Sequence, residues 1–291
     1  MRSGLPELFL FCGAGLLAQS SSQPSPASPL TLPVILQRLA QESENFLRIA
    51  PHFISEETLE QRARPSGPGS EFETHEVVSE YGFAGLISAP NAIHEIRRVV
   101  GVDGRQVVTL EKARQTLTLG LKSADDKLKK RLLEDFEKHG LRGAATDFGQ
   151  IILLFSARHI KDYEFELRGE RQIGAERLIV LTFRQKAGDT GITVFVGNTA
   201  KRETVAGEIS IRKRDLVPLR IALTASQTVK EIAVREESTV DYKFDESAGT
   251  VLPVSVTHRE YIRDQLQSEN TFSYAPFRKV STESAPKSPG S

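Results

Sequence analysis

Apolar and polar residues alternate singly through most of the second half of the chain. DYEFELRG, RLIVLTFRQ, GITVFVG, AGEISIRKRD, LVPLRIALTA and KEIAVREESTVDYKF read as strand after strand, and Gly, Asp, Asn or Pro separates the runs. A period of two is the signature of strands that bury one face. Runs this regularly spaced predict an antiparallel sheet or partial barrel. The clearest stretch is Thr239 to Lys279, which predicts a three-strand meander. Val240, Tyr242 and Phe244 alternate there with Asp241, Lys243 and Asp245, and Ser247-Ala248-Gly249 supplies the turn. The second strand is expected from Val254 to Ile262 and the third from Leu266 to Phe277. The meander is read as the closing wall of a half-barrel, its Tyr242 and Phe244 facing a helix and its charged residues facing water.

The first half is mixed. Val34, Ile35, Leu36, Leu39, Phe46 and Leu47 form a helical stripe, so a helix is expected from Pro33 to Ile49. Ser55 followed by EETLEQRAR reads as a capped second helix with acidic residues in its first turn. THEVVSEYGF and HEIRRVVGV predict two strands separated by SAPNA, with Arg97 and Arg98 on the exposed side. Val102-Asp103-Gly104-Arg105 is a hairpin signal. Residues 109–160 are expected to be helical. Ser123 caps one helix, Gly140 stops it, and a second helix from Asp147 to Ile160 buries IILLF.

The domain plan that follows is a signal peptide over 1–20, a disordered Ser/Pro linker over 21–33, a single α+β domain over 34–279 with a helical insert at 109–160, and a disordered tail over 280–291. Arg2 begins the leader, LFLFCGAGLLA is its apolar run, and Ala18 or Ser20 offers a small residue for cleavage. Export to the periplasm or beyond is therefore expected. The apolar run is shorter than the roughly 20 residues of a spanning helix, so the mature chain is not expected to cross a membrane.

Composition then narrows the chemistry. Lys plus Arg equals 38 and Asp plus Glu equals 38, so no global positive field draws nucleic acid. The one cysteine, Cys12, lies in the leader, which removes disulfides, thiolate metal sites and cysteine nucleophiles from the mature chain. His75-Glu76 and His94-Glu95 lack the second histidine of a zinc-protease helix, and His52, His139, His159 and His258 are scattered. No nucleophile elbow, phosphate loop or dinucleotide fingerprint is present. Asp125-Asp126 reads as a first-turn acidic pair, and Arg212, Lys213 and Arg214 as charges guarding a strand end. No catalytic residue, cofactor or metal is expected.

The helix VILQRLAQESENFLR, the hairpin VVSEYGFAGLISAPNAIHEIRRVVGVDGR, the Pro-broken GEISIRKRDLVPLRI and the closing LPVSVTHREYIRDQLQSENTFSYAPFRK together resemble the LolA/LolB-like superfamily of periplasmic lipoprotein carriers. That superfamily is itself similar to the sensor domain of RseB-type stress regulators. EKARQTLTLGLKSADDKLKKRLLEDFEKHGLRGAATDFGQ resembles uncharacterised exported proteins of acidobacterial type more closely. The resemblance implies an α+β fold, a strongly curved antiparallel sheet forming an unclosed half-barrel over several helices. It also implies a non-enzymatic envelope protein with a lipid or lipoprotein acyl group as partner. An apolar cleft is then expected among Phe165, Leu167, Ile179, Leu181, Phe183, Val194, Val196, Ile209, Ile211, Tyr242 and Phe244. The alternative is a protein-interaction or envelope-stress sensor module with no lipid ligand.

Overall fold

A computed structural model describes residues 30–65, 69–87, 89–137, 139, 147–186, 192–196, 199–229 and 232–280. The expected leader and most of the linker and tail lie outside these residues. The described residues from Leu32 onward belong to one compact unit.

The chain enters through helix α1, Leu32–Ile49, which buries Ile35, Leu39 and Phe46. Strands β1 (Phe53–Ala63), β2 (Glu73–Leu86), β3 (Ala89–Val102) and β4 (Arg105–Gln106) follow. Next come helices α2 (Leu110–Lys122) and α3 (Asp126–Glu137) and two 3-10 turns, Ile151–Phe155 and Ile160–Asp162. The remainder is β5 (Tyr163–Ile173), β6 (Glu176–Gln185), β7 (Ile192–Val196), β8 (Thr199–Glu203), β9 (Val205–Arg212), β10 (Pro218–Val229), β11 (Ile232–Asp245), β12 (Thr250–Ile262), β13 (Gln265–Tyr274) and β14 (Arg278–Lys279).

Twelve strands make one open, curved, antiparallel sheet in the order β4-β3-β2-β1-β13-β12-β11-β10-β9-β6-β5, with β14 also on β1; β7 and β8 pair separately. The fold is thus α+β, as the alternation implied. The meander β11-β12-β13 is not a closing wall, however. It lies inside the sheet, because β13 continues onto β1 from Glu57 opposite Tyr274 to Ala63 opposite Ser268. The edges are β4 and β5.

The segment after Ser55 is a strand, not a helix. Phe53, Ser55, Glu57, Leu59, Gln61 and Ala63 are all buried, so the period is two. Its acidic residues resemble a helix start, but Glu57 is matched by a charge from β3 that local sequence does not display. Strand β3 begins at Ala89, so Ala89 to Ala92 of the SAPNA break belong to a strand. The Asp-Gly hairpin forms as expected, with Asp103 and Gly104 at φ 49° and 73°.

Two apolar clusters occupy opposite faces of β1–β3. On one face Phe53, Leu59, Tyr81, Phe83 and Val99 join α1, the 151–155 turn and the concave side of the remaining sheet. On the other, Ile54, Ala84 and Ile96 pack with Leu117 of α2 and Leu132 of α3. This end of the molecule is therefore three layers deep. Thr109 caps α2 by accepting a bond from Lys112 N, and Asp125 accepts one from Lys127 N at the start of α3. The buried Glu42 fixes α1 to β12, accepting bonds from Thr250 Oγ1 (2.8 Å) and Val251 N (3.0 Å). The basic run after β9 is fully matched: Arg212 with Asp215, Lys213 with Glu170, and Arg214 with Glu176.

Leu117 is 0% exposed and its neighbour Leu119 is 62% exposed. Leu117→Ala is expected to lower unfolding free energy by about 2–5 kcal/mol in urea titrations. Leu119→Ala is expected to stay within about 0.5 kcal/mol. Equal effects would contradict this placement of α2.

Candidate functional site

Three charged side chains occupy positions that strand alternation assigns to the core. Glu57 shares a face with Leu59 on β1, and Glu95 and Arg97 share one with Ile93 and Val99 on β3. Arg97 is not on the exposed side as its charge suggested; it is 2% exposed. Its Nε donates to Glu57 Oε1 at 2.6 Å, and its Nη2 donates to Glu57 Oε2 at 2.8 Å and to Glu95 Oε2 at 2.7 Å. The rings of Phe136, Tyr81 and Phe272 stand 4.8, 5.0 and 5.4 Å from the guanidinium carbon. Aromatic faces favour a cation stripped of water.

Burial raises the Glu57 carboxyl above its ordinary range, against the opposing charge and hydrogen bonds of Arg97. Burial would by itself lower the Arg97 guanidinium, but the charges of Glu57 and Glu95 outweigh it and hold it well above its usual value. Tyr81 is raised by burial and then by the charge of Glu95, so its hydroxyl stays protonated and donates to Glu95 Oε1 at 2.8 Å.

Glu95 also reaches beyond the sheet. Its oxygens accept Asp147 N (3.0 Å) and Gly149 N (2.6 Å). Asp147 reciprocates, accepting Glu95 N on Oδ1 at 2.7 Å and standing 3.1 Å from His94 Nδ1 on Oδ2. Tyr242 Oη donates to Gly149 O at 2.9 Å and accepts from Ile152 N at 3.3 Å. A Cβ at Gly149 would stand 2.5 Å from Glu95 Oε1 and 2.9 Å from Tyr81 Oη, so a side chain there would push the carboxylate and hydroxyl out of their bonds. These bonds lay residues 147–155 across the concave face as a cover. The expected helix from Asp147 to Ile160 is absent. Short 3-10 turns replace it, because Tyr242 takes the Gly149 carbonyl and the Ile152 amide, which a helix would pair internally. The burial expected of IILLF does hold for Ile151, Ile152 and Phe155.

Further along the same face the sheet is polar. Gln61 Nε2 donates to Asn270 Oδ1 at 2.6 Å, and Ser238 Oγ lies 2.9 Å from His258 Nδ1. Phe148 of the cover stacks on the His258 ring at 4.5 Å. Burial pulls His258 down to about 4, so it is neutral at physiological pH.

Towards β5 the concave face becomes apolar. Ile179, Leu181, Phe183, Ile209, Ile211 and Tyr242 belong to one buried cluster, and Phe165 and Phe244 are partly buried against it. Phe155 meets Phe183, Tyr163 and Phe165 with ring centroids 4.9, 5.4 and 5.9 Å apart. Leu167, on edge strand β5, is 46% exposed. Val194 and Val196 lie on the separate β7–β8 ribbon. Beside this cluster, between α1 and the chain after the cover, runs a groove of about 510 Å³ lined by Leu36, Gln37, Ala40, Gln41, Glu44, Ala157 and Ile160. Leu36 and Ile160 also pack on the core, so the groove floor is the outer surface of the same cluster.

Among the described residues no three His, Cys, Asp or Glu side chains gather to hold a metal, and no helix is long and apolar enough to cross a membrane. The two His-Glu pairs instead share a clasp. Asp103 holds His75 and Glu76 N as Asp147 holds His94 and Glu95 N, and both aspartates have positive φ. Sequence reasoning missed Glu57, Glu95 and Arg97. Their one local signal was parity, since Ile93, Glu95, Arg97 and Val99 fall on one side of a strand.

No family model matches the chain, and no curated protein matches it. Solved structures that resemble it include a DUF1329 family protein from Desulfovibrio piger ATCC 29098, at 10% identity over 87% of this chain and 94% of that one, TM-score 0.37. Another is a putative outer membrane lipoprotein-sorting protein domain from Vibrio parahaemolyticus, at 12% identity over 86% and 93%, TM-score 0.35. At these scores they are recorded as similarity alone.

Arg97→Met strands two carboxylates in the core and is expected to cost about 3–5 kcal/mol of stability at pH 7 by urea unfolding. The loss should shrink as pH falls and Glu57, raised by burial, takes up a proton. A loss below about 1 kcal/mol at pH 7 would show that the cluster is not the anchor described.

Proposed function

We propose that the protein is an exported, non-enzymatic envelope protein that holds a lipid or the acyl group of a lipoprotein on the apolar side of its open sheet. The carrying observation is the groove between α1 and Ala157–Ile160, whose floor belongs to the concave apolar cluster. Its size lies within the range of small-molecule pockets, about 300–1,000 Å³. An acyl chain entering there exchanges water for Leu36, Ala40 and Ile160, at about 0.8 kcal/mol for each buried methylene. Continued burial past Phe155 and Phe165 would bring it to Leu167, Ile179, Leu181, Phe183, Ile209, Ile211, Tyr242 and Phe244, with Val194 and Val196 on the adjoining ribbon. The sequence resemblance to lipoprotein carriers supports the same ligand class.

A second reading, a protein-interaction or stress-sensor module, is favoured by strand β5. It is a sheet edge whose Leu167 and Ile173 are 46% and 50% exposed. Edge strands with free backbone groups accept partner strands.

Native mass spectrometry of protein taken from its own envelope is expected to show a co-bound lipid. Fluorescent fatty-acyl probes should bind the purified chain, and Leu36→Glu with Ile160→Glu should weaken uptake at least about tenfold, the equivalent of losing two buried methylenes. A lipid-free mass together with no probe uptake overturns the lipid reading. Envelope cross-linking through β5 to one protein would then favour the second.

A further inference from the structure

The cover at 147–155 carries an ionisable contact at its root. His94 Nδ1 lies 3.1 Å from Asp147 Oδ2, and the other Asp147 oxygen accepts Glu95 N. Glu95 in turn accepts Asp147 N and Gly149 N, so the side chains of two β3 residues and the first residues of the cover hold one another reciprocally. His94 is 28% exposed on its side chain and Asp147 33%, which leaves the pair open to protons from solvent. Beyond Asp147 the cover is built of 3-10 turns held by the Gly149 N bond to Glu95, the two bonds to Tyr242, the Phe148 stack on His258 and apolar contacts.

We infer that His94 and Asp147 form a proton-dependent clasp, which holds residues 147–155 on the concave face more firmly when His94 is charged than when it is neutral. With the imidazolium present the contact is an ion pair as well as a hydrogen bond; with a neutral ring only the hydrogen bond from the Nδ1–H tautomer to the carboxylate remains, and the attraction between opposite charges is lost.

Charged and titratable groups near the clasp, among the described residues, are Glu95 and Arg97 of β3, Tyr81 of β2, Glu57 of β1, Tyr274 of β13, Tyr242 of β11 and His258 of β12 beneath Phe148. On the α3 side, Lys129 donates to Gly85 O. The tyrosines Tyr81, Tyr242 and Tyr274 are all raised by burial, away from neutrality. His258 titrates at about 4. His94 itself is raised above the usual histidine value, chiefly by its hydrogen bond to Asp147 and then, after an opposing effect of burial, by the Asp147 charge. A raised histidine contributes its stabilisation fully below the unfolded value near 6.5 and loses it as pH climbs through the folded value. The cover should therefore loosen on the alkaline side of 6.5.

Amide hydrogen exchange on the ligand-free chain tests this, after correction for the intrinsic pH dependence of exchange. Protection of the Gly149 and Ile152 amides is expected to fall between pH 6 and pH 8.5, by about tenfold for each unit by which the His94 value is raised. Protection at Leu223 and Val240, in the core strands, should stay level over that range. His94→Gln and Asp147→Asn should each abolish the slope while leaving the core amides protected, which shows that the variants fold. A level wild-type profile at Gly149 and Ile152, or a slope retained in either variant, overturns the clasp. Because no lipid is added, the outcome does not depend on whether the acyl-binding reading stands.

Discussion

A single guanidinium, Arg97, sets the terms for much of this molecule. Taking Glu57, Glu95 and Arg97 out of water costs several kcal/mol for each ion, and their mutual attraction and the bonds from Arg97 Nε and Nη2 offset it. Aromatic rings stand around the guanidinium, whose Nη1 has no hydrogen-bond partner among the described residues. Without the cation, Glu57 would keep only the burial that raises it and lose the charge that opposes it. Glu57 spends both oxygens on Arg97, which ties β1 to β3 across β2. Glu95 spends one bond on Arg97 and offers the rest of its capacity to Tyr81, Asp147 N and Gly149 N. The same carboxylate therefore holds the cation and the cover.

The sheet makes this arrangement matter. Its N-terminal hairpins and its C-terminal meander meet at β1 and β13, whose paired residues are separated by more than 200 positions. Chain closure over such a distance is slow and is recovered only once both partners are in register. Glu42 adds a second long-range tie, holding α1 to β12. One side of the concave surface is polar and ionic, under the cover; the other is aliphatic and aromatic, beside α1 and the groove. An amphiphile would find both environments on one face. The convex side is closed by α2 and α3 at one end and carries paired charges elsewhere, such as Arg220 with Asp241 and Arg171 with Glu208.

Much of this was legible in the amino acids alone. Alternation placed nearly every strand after Tyr163, the stripe from Ile35 to Phe46 placed α1, and Asp103-Gly104 placed a turn. Burial of Ile151, Ile152 and Phe155 was also readable, since so apolar a stretch has nowhere else to go. These features are local: periodicity, turn chemistry and hydrophobicity act within a few residues of where they are written. Even the clasp left a trace, because two His-Glu pairs stand in strand-like segments, though the aspartates that complete them lie 27 and 52 positions away.

Tertiary structure decided whatever depended on a distant partner. Ser55 to Arg64 carries helix-start residues and became a strand because Arg97 matches Glu57, 40 positions later in the chain. Asp147 to Ile160 has an apolar helix's composition and became 3-10 turns because Tyr242, 90 positions after Ile152, claimed a carbonyl and an amide of its backbone. Arg97 reads as a surface charge until two carboxylates close on it in the core. The meander from Thr239 formed much as written, but its position inside the sheet was set by β1, which pairs with it from the other end of the chain. Sequence determined which faces were apolar; only the folded chain determined what each face, and each buried charge, would meet.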